Sequence, residues 1–192
     1  MTRSPGVELS QVYHELAEVD RKRILEEIQQ MLDIMRSWTN PWGNRICSIS
    51  GSSIRSIRVP DHRVGPCETE AEFHGHLLSA ASPHSFNSDD EFQAALKSAT
   101  KLNDVAHKIV FTHGDFALHN ILVHEGRVSG FIDWECAGWL PEYWEFTTPL
   151  RWPSRDPEGG ALFRRLGGGR YEKELEAEKA LVALTVDSWI SM

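Results

Sequence analysis

The stretch from Lys108 to Glu135 constrains the fold more than any other part of the chain. Lys108-Ile109-Val110-Phe111-Thr112, Ile121-Leu122-Val123 and Val128-Ser129-Gly130-Phe131-Ile132 are short, largely apolar runs with β-forming residues, and Glu125-Gly126-Arg127 is a turn between the last two. The pattern predicts a buried strand, a loop and then a tight hairpin. The reactive side chains sit at the ends of these runs, in His113-Gly114-Asp115-Phe116-Ala117-Leu118-His119-Asn120 and in Ile132-Asp133-Trp134-Glu135. A hairpin brings its outer ends together. Asn120 enters one strand and Asp133 leaves the other, so both can face one point. A short anchored loop of this kind holds its carboxylates at low entropic cost.

Asp115, Asn120 and Asp133 are the groups that phosphoryl transfer asks of a protein. That reaction needs one carboxylate near the attacking hydroxyl and oxygen ligands that hold Mg²⁺ against the nucleotide phosphates. Asp and Asn also cap ordinary turns, which is the plain competing reading. Turn capping does not require this spacing.

The segment resembles the C-terminal lobe of the aminoglycoside phosphotransferase and choline kinase-like family, within the protein-kinase-like fold. Protein kinases carry His-Arg-Asp-Leu, a following Asn, and then Asp-Phe-Gly. Here Gly114 stands in place of the Arg and Asp133-Trp134-Glu135 in place of Asp-Phe-Gly, and no Ala-Pro-Glu triplet follows. The resemblance therefore implies a small-molecule kinase rather than a phospho-regulated protein kinase. It implies Asp115 as the catalytic residue that orients or deprotonates the acceptor hydroxyl, and Asn120 and Asp133 as Mg²⁺ ligands. His113 and Gly114 would be structural residues of the catalytic loop. ATP or GTP would be the donor.

Met1-Thr2-Arg3-Ser4-Pro5-Gly6-Val7-Glu8-Leu9 resembles the family's segment between its two lobes. Residues 1–8 would then be a hinge remnant, with the backbone of Met1, Thr2, Arg3 and Ser4 meeting the nucleotide. No glycine-rich loop followed by a β-branched strand and Lys precedes His113. The expectation is one domain over residues 1–192, α+β and mainly helical, a kinase-like C-lobe whose small hairpins carry the catalytic loop, with the N-terminal lobe absent. Residues 39–68 resemble a loop and hairpin insertion of fungal members.

Hydrophobic residues make up 41% of the 192 and charged residues 25%, which suits a globular domain with a substantial core. No apolar run approaches the roughly 20 residues of a membrane helix, and no signal peptide is apparent. The three cysteines, Cys47, Cys67 and Cys136, form no close pair, so free thiols in the cytoplasm are expected. Cys136 lies near the expected site, for packing or for redox chemistry. The net charge of −8 disfavours nucleic acid as a partner. Glu135, Glu142, Glu145, Asp156 and Glu158 follow Asp133 closely. They either draw a cationic substrate to the cleft or form a solvated acidic surface. Glu135, Trp139 and Glu142 are the candidate substrate contacts. Trp139, Tyr143, Trp144 and Phe146 either wall a pocket or fill the core.

Elsewhere the periodicity predicts a short helix over 9–16 and a longer one over 20–38. The longer helix would be capped by Asp20, with Ile24, Ile28, Met31, Met35 and Trp38 in one stripe, widened by Leu25 and Leu32. Arg45–Ser50 and Ile54–Val59 read as a hairpin around Gly51. Capping boxes at Thr69/Glu72 and Ser88/Glu91 open helices over 69–79 and 88–103. His74 and His76 would face apart and make poor joint ligands. Pro141 would start a helix through Leu150. Residues 151–169 read as loop with one turn at 161–166, and the last helix as 171–190.

Three functions remain open on these residues. The first is a phosphotransferase acting on a small-molecule hydroxyl, inactive or very weak as this chain alone. The second is a non-catalytic nucleotide- or partner-binding pseudo-kinase module. The third is a truncated gene product. Loss of the upper lobe would also expose a partly apolar face open to self-association.

Overall fold

The computed structural model describes residues 5–56, 59, 61–151 and 157–185. Strand β1 (Val7–Glu8) runs straight into helix α1 (Leu9–Val12) and a 3₁₀ turn, Tyr13–Glu15, so the first predicted helix is broken after one turn. Helix α2 (Glu18–Arg36) follows. Its N-cap is Ala17 rather than Asp20, with no side-chain cap; the Asp20 carboxylate instead bonds Arg23 within the first turns. Ile24, Ile28, Leu32 and Met35 form the buried stripe, and Met31 is half-buried. Trp38 lies past the helix end, half exposed, with its ring 5.0 Å from Phe111.

The segment after α2 supplies three strands, β2 (Cys47–Ser48), β3 (Ile54–Arg55) and β4 (Arg63–Val64). The predicted hairpin around Gly51 is corrected here, because β2 and β3 enter different sheets. β3 pairs with β4, and β2 pairs with the distant β8 (Gly138–Pro141). Helices α3 (Glu70–Leu78) and α4 (Asp89–Ala99) begin at the two capping boxes: Thr69 accepts from the Glu72 N–H and Ser88 from the Glu91 N–H. Phe73 and Leu77 are buried. Of the α4 stripe, Ala99 is buried and Phe92 and Leu96 are half-buried. His74 is buried between Asn103 and the Tyr143 hydroxyl, and His76 accepts from the Gly65 N–H. The two imidazoles point apart.

Strand β5 (Ile109–Thr112) and the hairpin of β6 (Ile121–His124) and β7 (Arg127–Phe131) follow. Glu125 and Gly126 both have positive φ, as a tight hairpin turn requires. β1 adds to the outer edge of β6, giving the order β1-β6-β7, and β8 lies between β2 and β5. α2 is fastened to the hairpin by Glu27, whose carboxylate accepts from the Val128 N–H at 2.8 Å and pairs with Arg127.

Pro141 ends β8 instead of opening a helix. β2 reaches only Gly138 and Trp139, so Pro141 sits where the sheet is two strands wide. Helix α5 (Trp144–Thr147) is short. The predicted loop after it holds a ten-residue helix, α6 (Pro157–Leu166), because Leu162, Phe163 and Leu166 bury one face. Helix α7 (Glu172–Thr185) packs against α4 and α3; residues 186–190 of its expected span lie outside the described residues. The architecture is α+β and mainly helical, with small antiparallel sheets around one core. No helix among the described residues is long and apolar enough to cross a membrane.

Candidate active site

β5 ends at Thr112 and the chain turns through His113, Gly114 and Asp115. Gly114 has φ +85°, and a Cβ there would stand 2.0 Å from the Cys136 carbonyl oxygen. Only glycine lets this loop press against the segment that follows Asp133. His113 is fully buried. Its Nε2 lies 2.7 Å from the Ile132 carbonyl oxygen. A carbonyl can only accept, so the ring proton sits on Nε2. Burial holds the His113 pKa below its ordinary value, outweighing that bond and the nearby Asp115 and Asp133 carboxylates. The neutral ring is a strut between the loop and the end of β7, packed on Trp134 at 4.7 Å.

Asn120 ends the 3₁₀ turn Leu118–Asn120 and is 2% exposed. Its Nδ2 donates to the Asp115 carbonyl at 2.8 Å, which fixes the amide and leaves Oδ1 as the acceptor. Its own carbonyl accepts from the Ile132 N–H at 2.9 Å, one residue before Asp133. Asp133 stands at φ 62°, ψ 61° with an exposed side chain. Asp tolerates this left-handed conformation better than most residues, and such strain often marks a working position. Two hydrogen bonds and one imidazole thus gather Asp115, Asn120 and Asp133.

Asn120 and Asp133 suit Mg²⁺, which takes one or two protein oxygens and completes its shell with water and phosphate. Among the described residues no three His, Cys, Asp or Glu side chains gather as a metal cage. Asp115 borders a small pocket of about 10 Å³, room for about one water, that is also lined by Arg55, Ser56, Cys136, Trp144 and Arg151. Cys136 is buried, and burial, helped by the Asp115, Glu135 and Asp133 carboxylates, pushes its thiol up to about 11. That thiol packs and does not ionise near neutrality.

Of the other sequence candidates, Glu135 is exposed and pairs with Arg55 at 2.9 Å. Trp139 is 4% exposed and sits edge-on to Phe111, in the core. The Glu142 carboxylate accepts from the Tyr171 hydroxyl at 3.2 Å and the Lys108 N–H at 3.4 Å. Trp139 and Glu142 do not line the Asp115 pocket. Met1, Thr2, Arg3, Ser4 and Asp156 lie outside the described residues.

Glu145 is a residue that sequence reasoning undervalued. It is 1% exposed, and its Oε2 accepts from the His113 N–H at 2.6 Å. Burial pushes its carboxyl up to about 7, against the pull of the His113 and Gly114 amides and of Arg36. The signal was a carboxylate inside the aromatic run Tyr143-Trp144-Glu145-Phe146, where a charge has to be paired or neutralised.

The description of a phosphotransferase enzyme family matches residues 1–181. Among curated proteins no match is found. Solved structures align with this fold. Aminoglycoside phosphotransferase APH(4)-Ia aligns at TM-score 0.62 and 18% identity over 98% of this chain and 64% of its own. ADP-bound aminoglycoside phosphotransferase APH(2'')-Ib aligns at 0.55 and 17% over 94% and 58%. The gentamicin complex of APH(2")-IIa aligns at 0.55 and 14% over 100% and 69%. The chain spans a little under two thirds of the length of APH(4)-Ia. The Asp115 loop and the Asn120–Asp133 hairpin lie within the matched residues, and the chain belongs to the phosphotransferase enzyme family.

Proposed function

We infer that this chain carries the metal- and acceptor-binding half of a phosphotransferase site, for a small-molecule hydroxyl and a nucleoside triphosphate. The observation that supports this most is the coupling of Asn120 to the Asp115 backbone beside a left-handed Asp133. Asp115 would accept the acceptor's hydroxyl proton as that oxygen bonds to the γ-phosphorus. The bond from that phosphorus to the bridging oxygen of the diphosphate then breaks, and the diphosphate keeps the electron pair. Asn120 Oδ1 and an Asp133 carboxylate oxygen would hold Mg²⁺, which neutralises charge on the phosphates when bound. His113 keeps the loop in register and moves no proton, because its only proton is held by the Ile132 carbonyl.

Solved relatives are described with AMP-PNP, ADP, ATP, hygromycin B, streptomycin and gentamicin, which supports a nucleotide donor and a hydroxyl-bearing acceptor here. Calorimetric titration with Mg–ATP tests the reading. Millimolar binding that needs the cation and is lost in both Asn120→Ala and Asp133→Asn is expected. Binding indifferent to the cation or to both substitutions overturns it.

A further inference from the structure

The β3–β4 hairpin sorts its side chains by face. Ile54 and Val64 are register partners and both are buried, so the next pair, Arg55 and Arg63, stands together on the outer face. Like charges directly opposite each other destabilise a strand pair. Glu135 relieves one of the two, meeting Arg55 Nη1 at 2.9 Å. The Arg63 backbone N–H is held by the Asp61 carboxylate, and among the described residues no carboxylate reaches its guanidinium. Both arginines line a pocket of about 350 Å³, together with Ser48, Ser53, His62 and Glu135. The loop between β2 and β3 forms its far side. Gly51, at φ +77°, lets that loop turn back so that the Ser48 N–H meets the Ser52 carbonyl at 2.8 Å. The Ser48 hydroxyl is taken up by those of Ser50 and Ser52. The Ser53 hydroxyl lines the pocket with no partner among the described residues. The pocket therefore offers an unpaired guanidinium, a second guanidinium with donors to spare, and an unpaired hydroxyl.

We propose that this pocket binds a phosphate monoester of a small soluble molecule, with inorganic phosphate as its simplest form, and that Arg63, Arg55 and Ser53 hold it. A guanidinium fork fits two phosphate oxygens, and a hydroxyl donates to a third. A dianion between the arginines ends their mutual repulsion, and its tetrahedral oxygens meet donors that converge from two strands and a loop. A carboxylate has one charge and two oxygens in a plane. The incoming anion competes with Glu135 for Arg55. The Arg55–Glu135 pair is exposed on both sides, with side chains 56% and 47% exposed, and such pairs contribute little. Glu135 lies two residues past Asp133, so a bound anion releases the segment carrying Asp133 from its tie to β3. The site stands whether or not Asn120 and Asp133 take Mg–ATP.

The full chain, ¹⁵N-labelled, is titrated with inorganic phosphate, glycerol 3-phosphate and acetate, without divalent cation and at an ionic strength held constant with chloride. Saturable shifts of the Ser53, Arg55 and Arg63 amides at millimolar phosphate and glycerol 3-phosphate are expected, with acetate at least about tenfold weaker. Arg63→Gln weakens phosphate binding at least about tenfold. Glu135→Gln removes the competing carboxylate and tightens it about threefold. Arg23→Gln makes the same charge change on α2 and leaves it unchanged. Shifts no larger than chloride alone produces, shifts centred elsewhere, an unchanged affinity in Arg63→Gln, or weaker binding in Glu135→Gln overturns the proposal. So does loss of phosphate binding in Asp133→Asn, which would put the anion at the metal-binding end of the hairpin. Sedimentation with phosphatidic acid vesicles, with no response to glycerol 3-phosphate, would assign the arginines to a lipid surface and overturn the soluble ligand. Retained phosphate shifts with no response to Mg–ATP would sink the phosphotransferase reading alone and leave this site standing.

Discussion

Gly114 and Glu145 set the catalytic loop from opposite sides. Gly114 is the contact point with the Cys136 carbonyl. Alanine there meets both a steric clash and a left-handed backbone, and Gly114→Ala should lower stability by about 2 kcal/mol or more. Chemical denaturation reads this as a lower midpoint at unchanged slope. Glu145 lies beneath the same loop. Its folded pKa of about 7 stands above the ordinary carboxylate value. The stability it contributes is therefore full below the unfolded value and is lost as pH rises through about 7. The wild-type unfolding midpoint should fall between acidic and mildly alkaline pH, and Glu145→Gln should flatten that slope while keeping the bond to the His113 amide. An equal slope in the variant contradicts the assignment.

At the scale of elements, the long-range tie between α3 and α7 is His107. Its backbone N–H and Nδ1 both meet Glu70, and its Nε2 meets Glu174 at 3.2 Å. Carboxylates only accept, so two ring donors require the imidazolium. Burial pushes the His107 pKa down, but the two carboxylates outweigh it and raise the net value. This clamp is fully present below the unfolded histidine value and is lost as pH rises through the folded one. His107→Gln should cost stability at pH 6 and little at pH 9, read by urea midpoints across that range. The elements that local rules govern were legible in the sequence. The Thr69 and Ser88 caps, the Glu125-Gly126 turn and the β6–β7 hairpin each depend on residues a few positions apart. The β2–β8–β5 sheet was not legible, because it joins Cys47, Trp139 and Phe111, which no short window contains. For the same reason Pro141 read as a helix start when it closes a strand. Arg55 and Arg151 reach the Asp115 pocket from segments distant in sequence, so their shared wall could not be read from spacing.

At the scale of the whole molecule, one core carries two surfaces of different character. The hairpin end presents Asn120 and Asp133, and the β3–β4 hairpin with the start of the segment after α5 presents arginines to the same Asp115. The segment read from sequence as an insertion therefore forms a wall of the Asp115 pocket. The fold matches aminoglycoside phosphotransferases. The central claim is that Asn120 and Asp133 place a divalent cation and its nucleotide beside Asp115. Mn²⁺–ATP, substituted for Mg²⁺–ATP, reports that location directly through paramagnetic broadening of amide signals. Broadening centred on Asn120 and Asp133, weaker at Asp115 and abolished in Asp133→Asn, is the predicted result. Broadening centred elsewhere, or none with millimolar Mn²⁺–ATP, would contradict the account.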